Sequence, residues 1–334
     1  MSRNFNFILI IILMCFSCTS EDKLTDFQNN YTIFWKDFNA NYPAFEINKV
    51  NWDSVYAVYF PMINTKTTDF TFQNIINSSI LALKDAHSDV NNNHNYYDIF
   101  THQKPTNFIS ENLINTKYVQ ITKSNQQNLR YGKVINQDIG YFSISGFTGT
   151  ESDYYFIDSF LDSFQNSKGI IIDVRQNGGG NEAYGRIVAS RFINESVVYR
   201  YGRFRNGPKY SDLSDFIPVV LNPDGKIKYT NTIILLTNRH TISSAEDFIL
   251  MLNGLPNVIQ MGDTTFGGVA SNPTAKSLPN GWTYKMSTQV TYDRSKIPIT
   301  GGIAPKIQIC ITKSDSIQGI DRILEEAINK INEK

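Results

Sequence analysis

The sequence predicts an α/β protein with a small helical domain at its N-terminal end. Three observations carry that prediction. Apolar residues recur at helical spacing between Tyr31 and about Asp89, and from about residue 115 short apolar runs alternate with amphipathic segments. The chain has 334 residues, 41% hydrophobic and 13% aromatic, which is enough for a sizeable core and excludes a disordered tail, a collagen-like repeat or a small disulfide scaffold. The 31 basic residues balance 31 acidic ones, so the basic excess typical of nucleic-acid binders is missing.

The first segment reads as an address. Arg3 is the only charge before residue 21, and an apolar run from Phe7 to Phe16 follows it. That run has the length of a signal-peptide core and falls short of the ~20 residues a spanning helix needs. It ends in Cys15-Phe16-Ser17-Cys18, which resembles the bacterial lipoprotein cleavage box. The expectation is a signal peptide over 1–17, lipidation of Cys18, a polar tether over 18–26, and a protein exported and lipid-anchored to a bacterial cell envelope. An ordinary signal peptide or an uncleaved anchor is the alternative. After cleavage before Cys18 only Cys310 remains as a free thiol, which rules out an intramolecular disulfide and a cysteine-built metal site.

Residues 27–100 are expected to form the helical domain. Phe34, Trp35 and Phe38 mark a first helix, and Val55, Tyr56, Tyr59 and Phe60 a second. Ile75, Ile76, Ile80, Leu81 and Leu83 mark a third, with Pro43 and Pro61 as punctuation. The asparagine-rich stretch 91–107, with His94 and His102, reads as a solvated loop. The core, residues 101–334, should hold strands at Tyr118–Thr122, Gly132–Ile135, Ile139–Ile144, Gly169–Val174, Val197–Tyr201, Thr232–Thr237 and Val258–Met261. Thr283–Met286 and Gln289–Tyr292 read as a hairpin about Ser287-Thr288. Helices are expected at Tyr154–Gln165, Ala183–Phe192, Ala245–Leu252 and Ile320–Ile331.

Three segments can carry chemistry. The buried strand before Asp173-Val174-Arg175-Gln176-Asn177 runs into Gly178-Gly179-Gly180. Glycines let a substrate approach the main chain, whose N–H groups can form half of an oxyanion hole. A plain strand-to-helix turn is the simpler reading. The strand Ile233–Thr237 leads through a turn to Ser243 at a helix start. Ser243 and Glu246 have capping-box spacing, and a hydroxyl at a helix N-terminus also sits beside free N–H donors. Leu83-Lys84-Asp85-Ala86-His87-Ser88 offers a histidine base; of four histidines, His240 lies three residues before Ser243.

Together these segments resemble the tail-specific (C-terminal processing) protease family, best its branch with the tricorn core protease and the interphotoreceptor retinoid-binding protein repeats. Leu83–Ser88 is similar to Leu-x-Asp-Gly-His-Thr, Asp173–Gly180 to Asp-Leu-Arg-x-Asn-x-Gly-Gly, and Ser243–Glu246 to Ser-Ala-x-Glu. Gly262–Gly267 resembles Gly-Glu-x-Thr-Phe-Gly, and Gly302–Ile307 resembles Gly-Ile-x-Pro-Asp-Ile. The resemblance spans roughly residues 28–331. It implies a crotonase-like spiral of β-β-α units, polypeptide substrates and no cofactor. It further implies Ser243 as nucleophile, His87 as general base, and the N–H groups of Gly179 and Ser244 as oxyanion donors. Glu246 would cap or brace its helix. There is no room for an inserted PDZ domain between His87 and the first core strands.

Two departures bear on activity. The lysine that a Ser-Lys dyad places after Thr-Phe-Gly is replaced by Gly268, which favours the histidine-using branch. The glutamate that branch carries before Gly-Ile-x-Pro is absent from Ile299-Thr300-Gly301-Gly302. A catalytically weak or idle protein of the same fold, binding peptides or apolar ligands, is therefore an alternative. A crotonase-like acyl-transfer enzyme is a third reading.

Overall fold

The computed structural model describes residues 26–92, 96–97, 109–124, 128–227, 229–268 and 270–333. The segment expected to hold the signal peptide and Cys18 lies outside the described residues, as do His94 and His102. The N-terminal part contains α1 (Asp26–Asn41), α2 (Trp52–Tyr59) and α3 (Asp69–Leu83), then the short strands β1 (Asp89–Asn91) and β2 (Tyr96–Tyr97). Next come α4 (Glu111–Leu113), β3 (Val119–Ser124), β4 (Leu129–Val134), β5 (Ile139–Ile144) and α5 (Phe156–Phe164). β6 (Gly169–Asp173), α6 (Glu182–Ala189), β7 (Val197–Phe204), β8 (Ile217–Leu221), β9 (Thr232–Thr237) and α7 (Ser244–Leu252) form the middle of the chain. The last elements are β10 (Val258–Gly262), β11 (Ala270–Ser277), β12 (Thr283–Asp293), β13 (Ile307–Gln308), α8 (Lys313–Gln318) and α9 (Arg322–Asn332).

The strands make two sheets. Seven are ordered β13-β10-β9-β6-β5-β4-β3, parallel from β5 through β13 and antiparallel among β3, β4 and β5. β6 and β9 are buried along their whole length, which explains their unbroken runs of isoleucine and leucine. Their alternate residues serve opposite faces. Ile170, Ile172, Ile233 and Leu235 pack with Phe248 and Ile249 of α7 and with α5. Ile171, Ile234 and Leu236 pack with Ile323, Leu324, Ala327 and Ile331 of α9.

The second sheet runs β2-β1-β12-β7-β8, with β11 also paired to β12. Its β12 carries Tyr284, Met286, Val290 and Tyr292 against Tyr31, Phe34 and Phe38 of α1, Trp52 of α2, and Phe72, Ile76 and Ile80 of α3. Phe34 meets Tyr284 edge-on at 5.5 Å between ring centres. The Asn51 side chain caps α2 by accepting from Ser54 N, and Thr68 caps α3 by accepting from Thr71 N. The three expected helices are therefore present, and they pack against β12, a strand from late in the chain.

Some expectations need correction. Thr283–Met286 and Gln289–Tyr292 are one continuous strand, not a hairpin, because Ser287-Thr288 lies in register with β11 rather than turning. The asparagine-rich loop contains a strand at Tyr96–Tyr97. Besides β1 and β2, three strands escaped the sequence reading. β8 and β13 are short edge strands, and β11 is a polar strand containing Pro273 that, among the described residues, pairs with β12 alone.

Candidate active site

His87 is positioned by the end of α3. The helix stops at Lys84, which adopts a left-handed conformation (φ 55°, ψ 37°) and turns the chain outward. Buried Asp85 then accepts from the His87 backbone N–H at 3.0 Å and from the Ser88 hydroxyl at 2.6 Å. The half-buried imidazole reaches the loop after β10, where a Cβ built on Gly268 would lie 2.8 Å from His87 Cε1. The same Cβ would lie 3.1 Å from Glu246 Oε2. Histidine and glutamate therefore meet over one glycine, and a side chain at 268 would push them away.

Ser243 stands at the corner between β9 and α7. Its backbone is at φ 62° and ψ −129°, a conformation costly for a residue with a side chain. Strain of this kind, on the order of 1–3 kcal/mol, persists only where surroundings impose it. Here they do. Ile242 N–H donates to Asn177 O at 3.1 Å, and Ser243 N–H donates to Glu246 Oε2 at 3.1 Å. The expected capping box between Ser243 and Glu246 is present.

Glu246 does more than cap. It is buried, and its carboxylate also accepts from Thr265 Oγ1 (2.6 Å), Gly267 N (2.9 Å) and Gly268 N (2.9 Å). Burial pushes its pKa up, and the four donors oppose that shift. One carboxylate thus ties the serine corner to the loop that faces His87. The missing family glutamate has no substitute at Ile299–Gly302, where Thr300 is exposed, but a carboxylate from α7 does stand beside His87. Sequence reasoning missed Thr265 and Gly268 as parts of the site. The Thr-Phe-Gly motif was visible, but only the fold shows it bonded to Glu246. His240 is half-buried in the turn before Ser243, and burial lowers its pKa.

The glycine turn packs on this corner. A Cβ on Gly179 (φ +90°) would lie 2.7 Å from Ser243 Cβ and 3.1 Å from its Oγ. The close approach expected of a glycine is therefore real at 179. The Gly179 N–H, however, already donates to Asn177 Oδ1 at 2.9 Å. It reaches a substrate oxygen only by sharing or releasing that bond. In the first turn of α7, Ala245, Glu246 and Asp247 N–H are taken by Ile242 and Ser243 carbonyls (3.2, 2.7 and 3.2 Å). Ser244 N–H is left without a carbonyl partner among the described residues, as an oxyanion donor must be. Ser244 Oγ anchors the two turns by donating to Gly180 O at 2.6 Å.

A methyl group at Gly179 meets both a positive φ and the serine itself. Gly179→Ala is expected to lower kcat about 100-fold and stability by about 1–3 kcal/mol, read by peptide turnover and thermal unfolding. Wild-type turnover in that variant would mean the turn does not border the reacting atoms.

All three sequence-predicted segments thus come together around Ser243, Glu246 and Gly268. The described residues contain no cluster of histidine, cysteine, aspartate and glutamate able to hold a metal.

Comparison with known proteins matches this architecture. Residues 138–309 match the profile "Peptidase family S41", and residues 24–79 match "Tricorn protease C1 domain". The chain is 28% identical over 159 residues to the carboxy-terminal processing protease CtpA of Bacillus subtilis, covering 47% of this chain and 32% of that protein. It is 28% identical over 196 residues to the nisin-resistance protein of Lactococcus lactis, covering 53% of this chain and 58% of that protein. It therefore spans about a third of the first of these curated relatives and somewhat over half of the second. A solved structure from Parabacteroides merdae, described as a candidate peptidase, is 29% identical with a TM-score of 0.82, covering 92% of this chain and 97% of that one. The structure of mature CPAF shares the fold at a TM-score of 0.70 and 12% identity, covering 92% of this chain and 96% of that one. With the S41 profile covering more than half of its length across the glycine turn and the serine corner, the chain belongs to peptidase family S41.

Proposed function

We propose that the protein is a serine-type peptidase that hydrolyses peptide bonds in polypeptide substrates. The observation that carries this reading is the convergence at Ser243: a strained corner packed on Gly179, with Glu246 leading from it to His87. In this mechanism Ser243 Oγ attacks the scissile carbonyl carbon while His87 takes its proton. The carbonyl oxygen becomes an anion held by Ser244 N–H and by Gly179 N–H once Asn177 shares it. One such donor is typically worth ~3 kcal/mol of barrier. The carbon–nitrogen bond breaks as His87 protonates the leaving amine. Water then hydrolyses the Ser243 ester by the reverse proton path. Incubation of the purified protein with an unfolded polypeptide, followed by mass mapping of fragments, should reveal discrete cleavage sites. An intact polypeptide after long incubation would sink this reading.

One observation favours the idle alternative, in which the cleft binds peptides or apolar ligands without turnover: Gly179 N–H is bonded within its own turn. Ligand binding with no fragments would support it. We also propose export and attachment to the cell envelope through lipid on Cys18. The support is the sequence pattern around that residue. Cys18→Ser should release the protein from the membrane fraction; unchanged membrane retention would contradict the anchor.

A further inference from the structure

Behind the serine corner lies a second set of charges that the mechanism does not use. Asp247, the residue after Glu246, turns away from the cleft and meets Arg200 of β7, with Nε 2.9 Å from Oδ1. The other end of the same guanidinium meets Glu182 of α6, with Nη2 2.9 Å from Oε2. Glu182 opens the helix that follows the glycine turn, directly after its cap Asn181. Arg200 is 8% exposed. One buried cation therefore bridges the helix that begins at Ser243 and the helix that begins at the glycine turn. It stands on a strand of the other sheet.

We propose that Glu182, Arg200 and Asp247 form a positioning clasp that holds the glycine turn and the Ser243 corner at working distance, and that Asp247 is the point at which pH loosens it. The proposal deepens the peptidase reading and rests on it. The charges facing Asp247 are few. From α6 come Glu182 and Arg186, which lie 3.6 Å apart, and from β7 come Arg200 and the Tyr199 hydroxyl, itself bonded to Glu182. From its own helix comes Glu246, which is committed to the active-site loop. Asp293 lies opposite Arg200 in the strand register, but its Oδ1 is occupied by Ser295 N and Ile297 N. Two carboxylates thus share one buried guanidinium. Burial pushes Asp247 up to about 7; Arg200 opposes the shift, and Glu182 and Glu246 add to it. Asp247 changes charge near neutral pH, and its protonation removes one arm of the clasp.

The test is the pH profile of peptide turnover. Asp247→Asn imitates the protonated state. Its kcat should fall about 10-fold below wild type at about pH 8.5, with KM little changed, and should converge on wild type at about pH 5.5. Glu182 is the milder position, with a side chain 28% exposed. Glu182→Gln removes a neighbouring negative charge and should move the wild-type transition to lower pH. A purely structural role would lower kcat by one factor at every pH; a parallel Asp247→Asn curve, or an unmoved transition in Glu182→Gln, would overturn the clasp. Ser243→Ala run alongside separates the two claims. Turnover surviving in that variant removes the underlying peptidase reading, whereas its loss together with a parallel Asp247→Asn curve removes the clasp alone.

Discussion

Ser243→Ala is expected to lower kcat for peptide cleavage by about a millionfold, the scale seen when the nucleophile of a triad hydrolase is deleted. The size follows from the kind of group removed. No neighbouring hydroxyl can take its place, because Ser244 Oγ is committed to Gly180 O at 2.6 Å and Thr265 Oγ1 to Glu246 at 2.6 Å. KM should change little, since the cleft walls stay in place. Stability should fall by about 1 kcal/mol, because alanine gives up the Ser243 hydroxyl of the capping box while keeping the same strained backbone. Steady-state kinetics with a defined peptide and a melting curve check both halves. A loss of activity accompanied by unfolding would not count in favour of the nucleophile.

Arg175→Met is expected to cost about 3–5 kcal/mol of folding stability. Arg175 is 3% exposed and lies between two buried carboxylates. It binds Asp321 at 2.8 and 2.9 Å and Asp173 at 2.7 and 2.9 Å. Methionine fills similar space but leaves both carboxylates without their cation, and an uncompensated buried charge is far more costly than the pair is favourable. The loss would propagate. Asp173 ends β6 just before the glycine turn and also accepts from the Tyr141 hydroxyl at 3.0 Å. Asp321 caps α9 through Leu324 N at 3.1 Å. Urea unfolding should show the midpoint falling accordingly; an unchanged midpoint would mean the triad does not anchor the turn.

This triad also shows what was legible in the sequence. Asp173, Arg175 and the glycines stood out as a motif, yet nothing local indicated that the arginine serves the fold and not the substrate. Its partner Asp321 is 146 positions away. The parallel strands were readable because both faces of β6 and β9 are buried and their apolar runs are unbroken. β11 was not, because a polar edge strand owes its structure to the neighbour it pairs with rather than to its own composition. For the same reason β12 was cut in two at Ser287-Thr288, residues that look like a turn but sit in a buried stretch of sheet.

The site divides in the same way. Ser243, His87 and the glycine turn could be named from motifs in order along the chain. Glu246 was read as a helix cap because its spacing from Ser243 is local. Its bonds to Thr265, Gly267 and Gly268 span 19 to 22 positions, and no local pattern announces them. The occupation of Gly179 N–H by Asn177 depends on a side-chain rotamer, which residue order does not determine. The backbone strain at Ser243 was equally hidden, since it arises from two turns locking together through Ile242 and Asn177.

The most direct test of the whole account is the rate at which a serine-directed covalent probe modifies the protein, with the adduct mapped by mass spectrometry. A single adduct is expected on Ser243, formed about 100- to 10,000-fold more slowly in His87→Ala, the range a positioned general base contributes. An adduct on another residue, or equal rates with and without the imidazole, would contradict it.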